Sequence, residues 1–222
     1  GDVMSFGVKV EVWGDYALFS RPEMKTERVS YDVMTPSAAR GLLSAIYWHP
    51  GLDWMVDKIY VCNKIKFANI RRNEVKSKLL GSKAYSAMHG ATDELCLVTT
   101  DDIQQRASMV LKDVHYVIEA HFVMTPQANS SDNEGKFCDI FRRRVEKGQF
   151  YHQPVFGCRE FPANFKPFEG ETVETAYPNE EKDLGYMLYG MDYSDMKNVT
   201  PLFFRAVLQN GILDLRNCEV HK

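Results

Sequence analysis

The chain has 222 residues, of which 45% are apolar and 26% are charged, as in ordinary globular proteins rather than disordered chains. A net charge of −3 excludes a polycation, so any binding to nucleic acid must use a local basic patch. No stretch approaches the roughly 18 consecutive apolar residues of a membrane span, so we expect no membrane association.

Neither the start of the chain nor its cysteines predict a secreted protein. Residues 1–4 lack the basic start and apolar core of a secretory signal, and we expect the native chain to start at Met4. The cysteines are odd in number and have no zinc-ligand spacing: Cys62, Cys96, Cys138, Cys158 and Cys218. This favours a reducing compartment, so we predict a cytoplasmic protein without disulfides or a structural metal.

In chain order, the first predicted strand lies within residues 6–13, where apolar and other residues alternate. After a polar loop at 20–34, Thr35 can cap a helix that begins at Pro36 and stops at Pro50 and Gly51. Tyr47 falls at the edge of the apolar face of this helix, which predicts a partly exposed side chain. The face itself contains Ala39, Leu42, Leu43 and Ile46.

Short strands are predicted at 58–62 and 66–70, followed by a loop or insert at 84–104 and the longest strand at 108–124. Alternation along this long strand puts apolar residues on one face and polar residues on the other, the latter being Asp113, His115, Glu119 and His121 with Val117. A second helix is predicted at 132–147, with Ser131 and Glu134 at capping-box spacing and Gly148 as its left-handed end.

The order of these elements resembles a ferredoxin-like βαββαβ unit with insertions, an α+β fold similar to RNA-recognition motifs. Further on, a short strand is predicted at 185–189, and Asn210-Gly211 between two apolar runs predicts a β-hairpin. We expect a first domain at 4–162 and a small β-rich domain at 163–222, which is too short to be stable without docking on the first.

Charge is unevenly distributed along the chain. Residues 58–83 hold eight basic side chains and one acid, whereas residues 169–195 hold eight acids and one base. Such runs are often solvated loops. The alternative interpretation is that the basic segment follows the phosphates of a nucleic acid.

No P-loop, nucleophile elbow, zincin or dinucleotide-binding motif is present, so chemistry would need scattered side chains. The segment Tyr47-Trp48-His49 could be core or interface, or it could stack on or hydrogen-bond a flexible nucleotide. Cleaving RNA without a metal needs a base, a cation and an acid. A second segment offers such groups in Arg106, Lys112 and His115, although a regular strand sends the last two to opposite faces. At 156–162, a glycine-containing turn with a structural cysteine is the favoured interpretation of Cys158.

Six segments in chain order resemble a known family, the CRISPR-associated Cas five family of the Dvulg subtype (type I-C). They are VWGDYALF at 12–19, YDVMTPSAARG at 31–41, IYWHP at 46–50, RRNEV at 71–75, QR at 105–106 with LKDV at 111–114, and FGCREF at 156–161. The resemblance implies a ferredoxin-like domain of the RAMP superfamily with a small C-terminal β domain. It also implies a metal-independent endoribonuclease without cofactors. Such an enzyme cuts precursor CRISPR RNA in the repeat hairpin and leaves a 2′,3′-cyclic phosphate.

The resemblance also implies partners and site residues. The protein would stay on the 5′ handle and join the other type I-C Cascade subunits, and we expect a monomer in isolation. Tyr47 matches the family's catalytic tyrosine, but the chain lacks the Lys-His pair of some members. The lysine role could fall to Lys112 or Arg106, and the histidine role to His115 or His49. The predicted RNA-binding residues are Trp48, Lys64, Lys66, Arg71, Arg72, Lys76, Lys78 and Arg143. The alternatives are a non-catalytic RNA-binding scaffold and a binder of duplex DNA.

Overall fold

The computed structural model describes residues 7–24, 26–75 and 103–222, with the side chains of 72–75 and 103–104 outside this description. In these residues the chain forms two helices and ten strands. They are β1 (Val8–Ala17), β2 (Arg28–Val29), α1 (Pro36–Ile46), β3 (Leu52–Val61), β4 (Phe67–Val75), β5 (Ile103–Met124), α2 (Glu134–Lys147), β6 (Asn164–Pro167), β7 (Glu181–Asp192), β8 (Thr200–Gln209), β9 (Ile212–Asp214) and β10 (Val220–His221).

Four antiparallel strands form a platform in the order β6-β1-β5-β3, and both helices pack against one of its faces. Alternate residues of β1 supply the covered face, where Val8, Val10 and Val12 are buried in the same core as Leu43 and Phe137. Followed along the chain, these elements have the βαββαβ order. The ferredoxin-like α+β prediction is therefore confirmed.

The helix ends follow local sequence signals, with one correction. Thr35 caps α1 and Asn133 caps α2, each accepting a hydrogen bond from the amide three residues later, at 3.1 and 2.9 Å. The prediction of Ser131 as the cap of α2 is wrong. Asp132 accepts a hydrogen bond from the amide of residue 129 at 2.9 Å, which holds the chain in a turn until the helix begins. Gly148 ends α2 in the left-handed conformation, as predicted.

The longest strand, β5, extends five residues further towards the N-terminus than predicted. Its C-terminal part pairs with β3 and its N-terminal part pairs with β4. The change of partner takes place around Asp113, which has a left-handed backbone conformation (φ 51°). Residues 103–104 of the predicted loop 84–104 belong to β5, and 84–102 lie outside the described residues.

The predicted hairpin at Asn210-Gly211 joins β8 and β9. Asn210 and Gly211 have φ values of 54° and 74°, the left-handed pair that a type I′ turn requires. β9 also pairs with β3, so the sheet continues from the platform into the C-terminal segment. β6 follows the predicted boundary at 162 and pairs with β1. The division into domains at 4–162 and 163–222 stays a prediction.

Neither helix in the described part of the chain has the length and apolar character that a membrane crossing requires. The same residues contain no group of three or more histidine, cysteine or carboxylate side chains that could hold a metal ion. Four of the five cysteines are described, and none of these four is in a disulfide: Cys62, Cys138, Cys158 and Cys218.

Candidate functional site

The first candidate site lies where α1 ends, and we call it the tyrosine end, consisting of Tyr47, His49 and Arg144. Tyr47 directly follows the helix in an extended conformation (φ −148°, ψ 123°). Arg144 of α2 places its guanidinium carbon 5.0 Å from the centre of the Tyr47 ring. Its Nη1 donates a hydrogen bond to the carbonyl of Ile46 at 2.9 Å. A cation therefore links the two helices beside the tyrosine.

Tyr47 is only 7% exposed, so the prediction of a partly exposed side chain is wrong. The Phe137 ring lies 6.2 Å from the Tyr47 ring, and the Trp54 indole donates a hydrogen bond to the Tyr47 carbonyl at 3.1 Å. These neighbours come from α2 and β3, which the pattern of α1 alone does not include. Burial raises the pKa of Tyr47, while the charge of Arg144 lowers it and that of Asp132 raises it. The neutral hydroxyl is thus the form present near neutral pH.

His49 adds an imidazole to the tyrosine end. Its Nδ1 accepts a hydrogen bond from the Gly51 amide at 2.9 Å, so the neutral ring carries its proton on Nε2. Nε2 lies 3.9 Å from Oδ2 of Asp132, and the ring centre lies 4.8 Å from that of Phe137. The imidazole is therefore held by the loop before β3 and by the segment that leads into α2.

The second candidate site lies where β5 changes partner, and we call it the lysine depression. It is bordered by Lys64, Lys66, Lys112 and His115, together with Asp32, Asn63 and Asp113. Lys112 and His115 border the same depression although they are three residues apart, because the left-handed Asp113 interrupts the regular alternation. Lys64 places its amino group 4.3 Å from the centre of the Tyr177 ring, and the Tyr177 hydroxyl accepts a hydrogen bond from the Ile65 amide at 2.8 Å.

His115 pairs with a carboxylate on the platform face that carries no helix. Its Nε2 lies 2.8 Å from Oε1 of Glu11, whose other oxygen is 3.6 Å from the amino group of Lys166. Trp13, the neighbour of His115 on β1, has its ring centre 6.3 Å from that of the imidazole. When the proton is on Nε2 and is donated to Glu11, Nδ1 is an acceptor.

The structure does not bring the two candidate sites together. Trp54, which is bonded to Tyr47, pairs across the sheet with Phe122. Phe122 is seven residues from His115 and ten from Lys112 along β5, or roughly 23 and 33 Å at about 3.3 Å per residue. Phe122 is buried on the helix-covered face, whereas His115 lies on the other. Arg106 lies further along β5, opposite Arg72 of β4. Of the predicted partners of Tyr47, only His49 is therefore beside it.

The predicted RNA-binding residues are spread over several surfaces. Lys64 and Lys66 are exposed at the lysine depression, and Arg71 is exposed on β4. Arg72 lies in β4, but its side chain is outside the description, as are Lys76 and Lys78 altogether. Trp48 is 58% exposed beside the tyrosine end, and Arg143 is exposed on α2.

Sequence reasoning missed Arg144 and Glu11 as neighbours of the candidate residues. Arg144 was visible only as part of a basic triplet on α2, and no local signal distinguishes the arginine that reaches Tyr47 from the two that are exposed. Glu11 is 104 residues from His115, and a strand register connects them. The alternation of side chains along β1 and β5 could have identified this pair once the two strands were aligned.

The glycine-containing turn predicted at 156–162 is present in the structure. Gly157 has φ 86°, and a Cβ at this position would lie 1.8 Å from the Leu18 carbonyl oxygen. Phe156 is fully buried and accepts a hydrogen bond from the Leu18 amide at 3.0 Å. Cys158 is half-buried beside this contact. The glycine therefore allows two backbone segments to approach each other.

Comparison with known proteins agrees with this architecture. A solved structure described as a CRISPR-associated protein superposes with a TM-score of 0.70 at 24% identity, covering 97% of this chain and 96% of the other. A functionally uncharacterized protein from Streptococcus mutans gives 0.69 at 22% identity, covering 97% of both chains. At these identities the likeness concerns the fold alone.

Sequence comparison is more specific. Residues 7–216 match the family model for Cas5d, which is described as CRISPR-associated protein (Cas_Cas5). The chain is 49% identical over 217 residues to a Mannheimia succiniciproducens protein named CRISPR pre-crRNA endoribonuclease Cas5d, covering 96% of each chain. A Thermus thermophilus protein of the same name is 40% identical over 225 residues, covering 94% of this chain and 90% of the other. The chain therefore belongs to the Cas5d family of CRISPR-associated proteins.

Proposed function

We propose that this protein is a metal-independent endoribonuclease that cuts precursor CRISPR RNA within its repeat hairpin. The observation that carries the proposal is the 49% identity, over 96% of each chain, to a relative named CRISPR pre-crRNA endoribonuclease. The ferredoxin-like platform supports it, because related sheets in RNA-recognition motifs bind RNA. The product ends would be a 2′,3′-cyclic phosphate and a 5′ hydroxyl.

The proposed reaction is an intramolecular transesterification. The ribose 2′ oxygen loses its proton to a base and forms a bond to the adjacent phosphorus, while the bond from phosphorus to the 5′ oxygen breaks and an acid protonates that oxygen. A cation stabilises the additional negative charge on the phosphoryl oxygens. Atoms and charge balance without a metal or a redox partner.

We assign this chemistry to the tyrosine end. Tyr47 supplies a neutral hydroxyl, Arg144 supplies a cation 5.0 Å from the tyrosine ring, and His49 supplies an imidazole in the same cluster. The first assignment comes from the match of Tyr47 to the family's catalytic tyrosine, and the other two come from the contacts. Lys112, His115 and Arg106, the alternative catalytic residues, lie too far along β5 to act on the same phosphate.

We assign binding of the RNA backbone to the lysine depression and β4. Lys64, Lys66 and Lys112 are exposed around one concavity, and Arg71 continues the basic surface along β4. Hairpin RNA is recognised largely through its backbone and shape, for which such amino groups are suited. Arg72, Lys76 and Lys78 would extend this surface. At the edge of this surface, Glu11 contacts the ring of His115 and fixes its orientation.

The remaining proposals concern partners and location. The family resemblance supports retention of the protein on the 5′ handle and assembly with other type I-C Cascade subunits. We expect a monomer before assembly, and the cysteine pattern favours a cytoplasmic location. Duplex DNA is the less favoured ligand. Its backbone contacts would give similar affinity for unrelated duplexes at low salt, with strong loss at physiological salt.

The test is incubation of the purified protein with end-labelled cognate repeat RNA in EDTA, followed by mapping of both product ends. We expect one cut with a cyclic phosphate, and no cut when the nucleotide before the scissile phosphate is 2′-deoxy. Tight binding without product would overturn the proposal in favour of the scaffold alternative. Cleavage of unrelated hairpins at the same rate would overturn its repeat specificity.

A further inference from the structure

Beside the tyrosine end lies an open groove that neither the fold nor the proposed cleavage chemistry uses. It is lined by Gly41, Ser44 and Ala45 of α1, by Trp48, and by Tyr151 and His152 of the segment after α2. Tyr151 is 65% exposed and Trp48 is 58% exposed. Two large aromatic side chains thus border one groove with most of their surface in water. We call it the aromatic groove.

The backbone around the aromatic groove is fixed. The amides of Tyr151 and His152 both donate to the carbonyl of Ala45, each at 2.9 Å. The amide of Gln149 donates to the carbonyl of Arg144 at 2.8 Å, directly after the left-handed Gly148. The aromatic side chains therefore stand on a braced segment, so little backbone ordering is needed when a ligand binds.

The charge next to the aromatic groove favours an anionic ligand. The described residues that line the groove include no carboxylate. The guanidinium carbon of Arg144 lies 5.0 Å from the centre of the Tyr47 ring, and Tyr47 directly precedes Trp48 in the chain. Other exposed large side chains lie in different surroundings: Tyr193 and Met196 lie between β7 and β8, next to Asp192 and Asp195.

We propose that the aromatic groove binds an unpaired nucleobase of single-stranded RNA by stacking on Trp48 and Tyr151. Every base has a π-face, and aromatic rings beside cations form the surfaces on which single strands stack. The Ser44 hydroxyl and the His152 imidazole lie in the same groove and provide hydrogen-bonding groups for the edge of the base. This proposal rests on the proposed function, because it assigns the groove to RNA next to the cleavage site.

The experiment compares two RNAs, the repeat hairpin alone and the hairpin with an unpaired flank, by fluorescence anisotropy in EDTA. Stacking contributes enough that losing one aromatic ring should weaken binding by about 5- to 100-fold. We expect Trp48→Ala and Tyr151→Ala to lose this factor for the flanked RNA and to change binding of the bare hairpin less than 2-fold. Tyr151→Phe, which keeps the ring, should bind like the parent protein.

The control is Tyr193→Ala, which removes an equally exposed ring from the acidic surface and should not affect binding. Tryptophan fluorescence in a Trp13→Phe background gives a second readout: an unstructured adenosine oligonucleotide should quench the protein that keeps Trp48 and not the one that also carries Trp48→Phe, because the remaining Trp54 is 2% exposed. A circular dichroism melt confirms that each variant is folded.

Two outcomes would overturn this inference. One is equal loss of affinity for both RNAs, which would make the groove part of hairpin binding. The other is unchanged RNA binding together with loss of assembly with other subunits, which would make the groove a protein interface. Failure of the proposed function would give a different result. A parent protein that binds flanked RNA through Trp48 but never cuts it would support the inference about the groove and contradict the proposed endoribonuclease activity.

Discussion

The tyrosine end and the lysine depression each contain a histidine and basic side chains, but the tyrosine is buried and the lysines are exposed. Tyr47 is 7% exposed and shares its surroundings with Phe137 and Trp54, whereas Lys64 and Lys112 are exposed around a shallow concavity. In a buried site a cation such as Arg144 interacts strongly with a developing charge, while exposed lysines bind phosphates in a salt-dependent way. In the functions proposed above, the surroundings of a residue rather than its type therefore distinguish the catalytic site from the surface that binds the RNA backbone.

The largest expected effect is that of Tyr47→Phe, which removes only the hydroxyl. If this hydroxyl does acid–base work, cleavage at saturating protein should fall by about 100-fold or more with RNA affinity unchanged. Tyr60→Phe is the matched control, because Tyr60 is 8% exposed and its hydroxyl bonds to Glu119 at 2.8 Å, away from the tyrosine end. Single-turnover rates in EDTA provide the measurement. An unchanged rate would remove Tyr47 from the active site.

Next in size is the effect of Arg144→Gln. Loss of the cation beside Tyr47 should lower the single-turnover rate by about 100-fold, the usual cost of removing one group that stabilises a developing charge. Arg142→Gln changes an exposed arginine of the same helix and should change the rate less than 2-fold. Since Arg144 also binds the Ile46 carbonyl, thermal melts must accompany the kinetics. Equal losses in both variants would contradict a specific role.

A smaller effect is expected at the lysine depression. The double substitution of Lys64 and Lys112 by alanine should weaken repeat RNA binding by about 10-fold at physiological salt. The slope of log affinity against log salt should become shallower by about 2, one for each phosphate contact. Lys197→Ala, on the acidic surface, serves as the control. An unchanged slope with a reduced cleavage rate would indicate that these lysines take part in catalysis rather than in binding the RNA backbone.

His115 and His121 form a matched pair that tests whether the lysine depression binds or cleaves the RNA. Both lie on the helix-free face of β5, and each bonds a carboxylate at 2.8 Å, Glu11 and Asp57 respectively. His115→Ala should weaken RNA binding by about 3-fold without changing the rate at saturation, and His121→Ala should change neither. A rate loss of about 100-fold in His115→Ala alone would place the cleavage centre at the lysine depression.

The smallest expected effect is on the pH profile. Burial raises the pKa of Tyr47 above its ordinary value of about 10, so the neutral hydroxyl is lost only above that pH. The cleavage rate should therefore show no decline from tyrosine ionisation below about pH 10. A decline near pH 8 or 9 that is absent in Tyr47→Phe would show a lowered pKa and contradict this environment.

Local patterns were enough to predict the platform. Alternation placed β1 and the two faces of β5, and Asn210-Gly211 predicted its hairpin, because these signals depend on residues close in sequence. The site depends on residues distant in sequence. Arg144 reaches Tyr47 across the packing of two helices, and Glu11 reaches His115 through a strand register. Neither contact has a local signature.

The strand β9 has a consequence for how the protein can be divided. It pairs with β3 at residues 58–60 and so occupies part of the outer edge of the platform. Without the C-terminal segment, the backbone amides and carbonyls along that edge would be open to another chain. A shortened protein ending at residue 162 would also lack β6, which covers the opposite edge at β1. The C-terminal third thus protects the platform against edge-to-edge self-association.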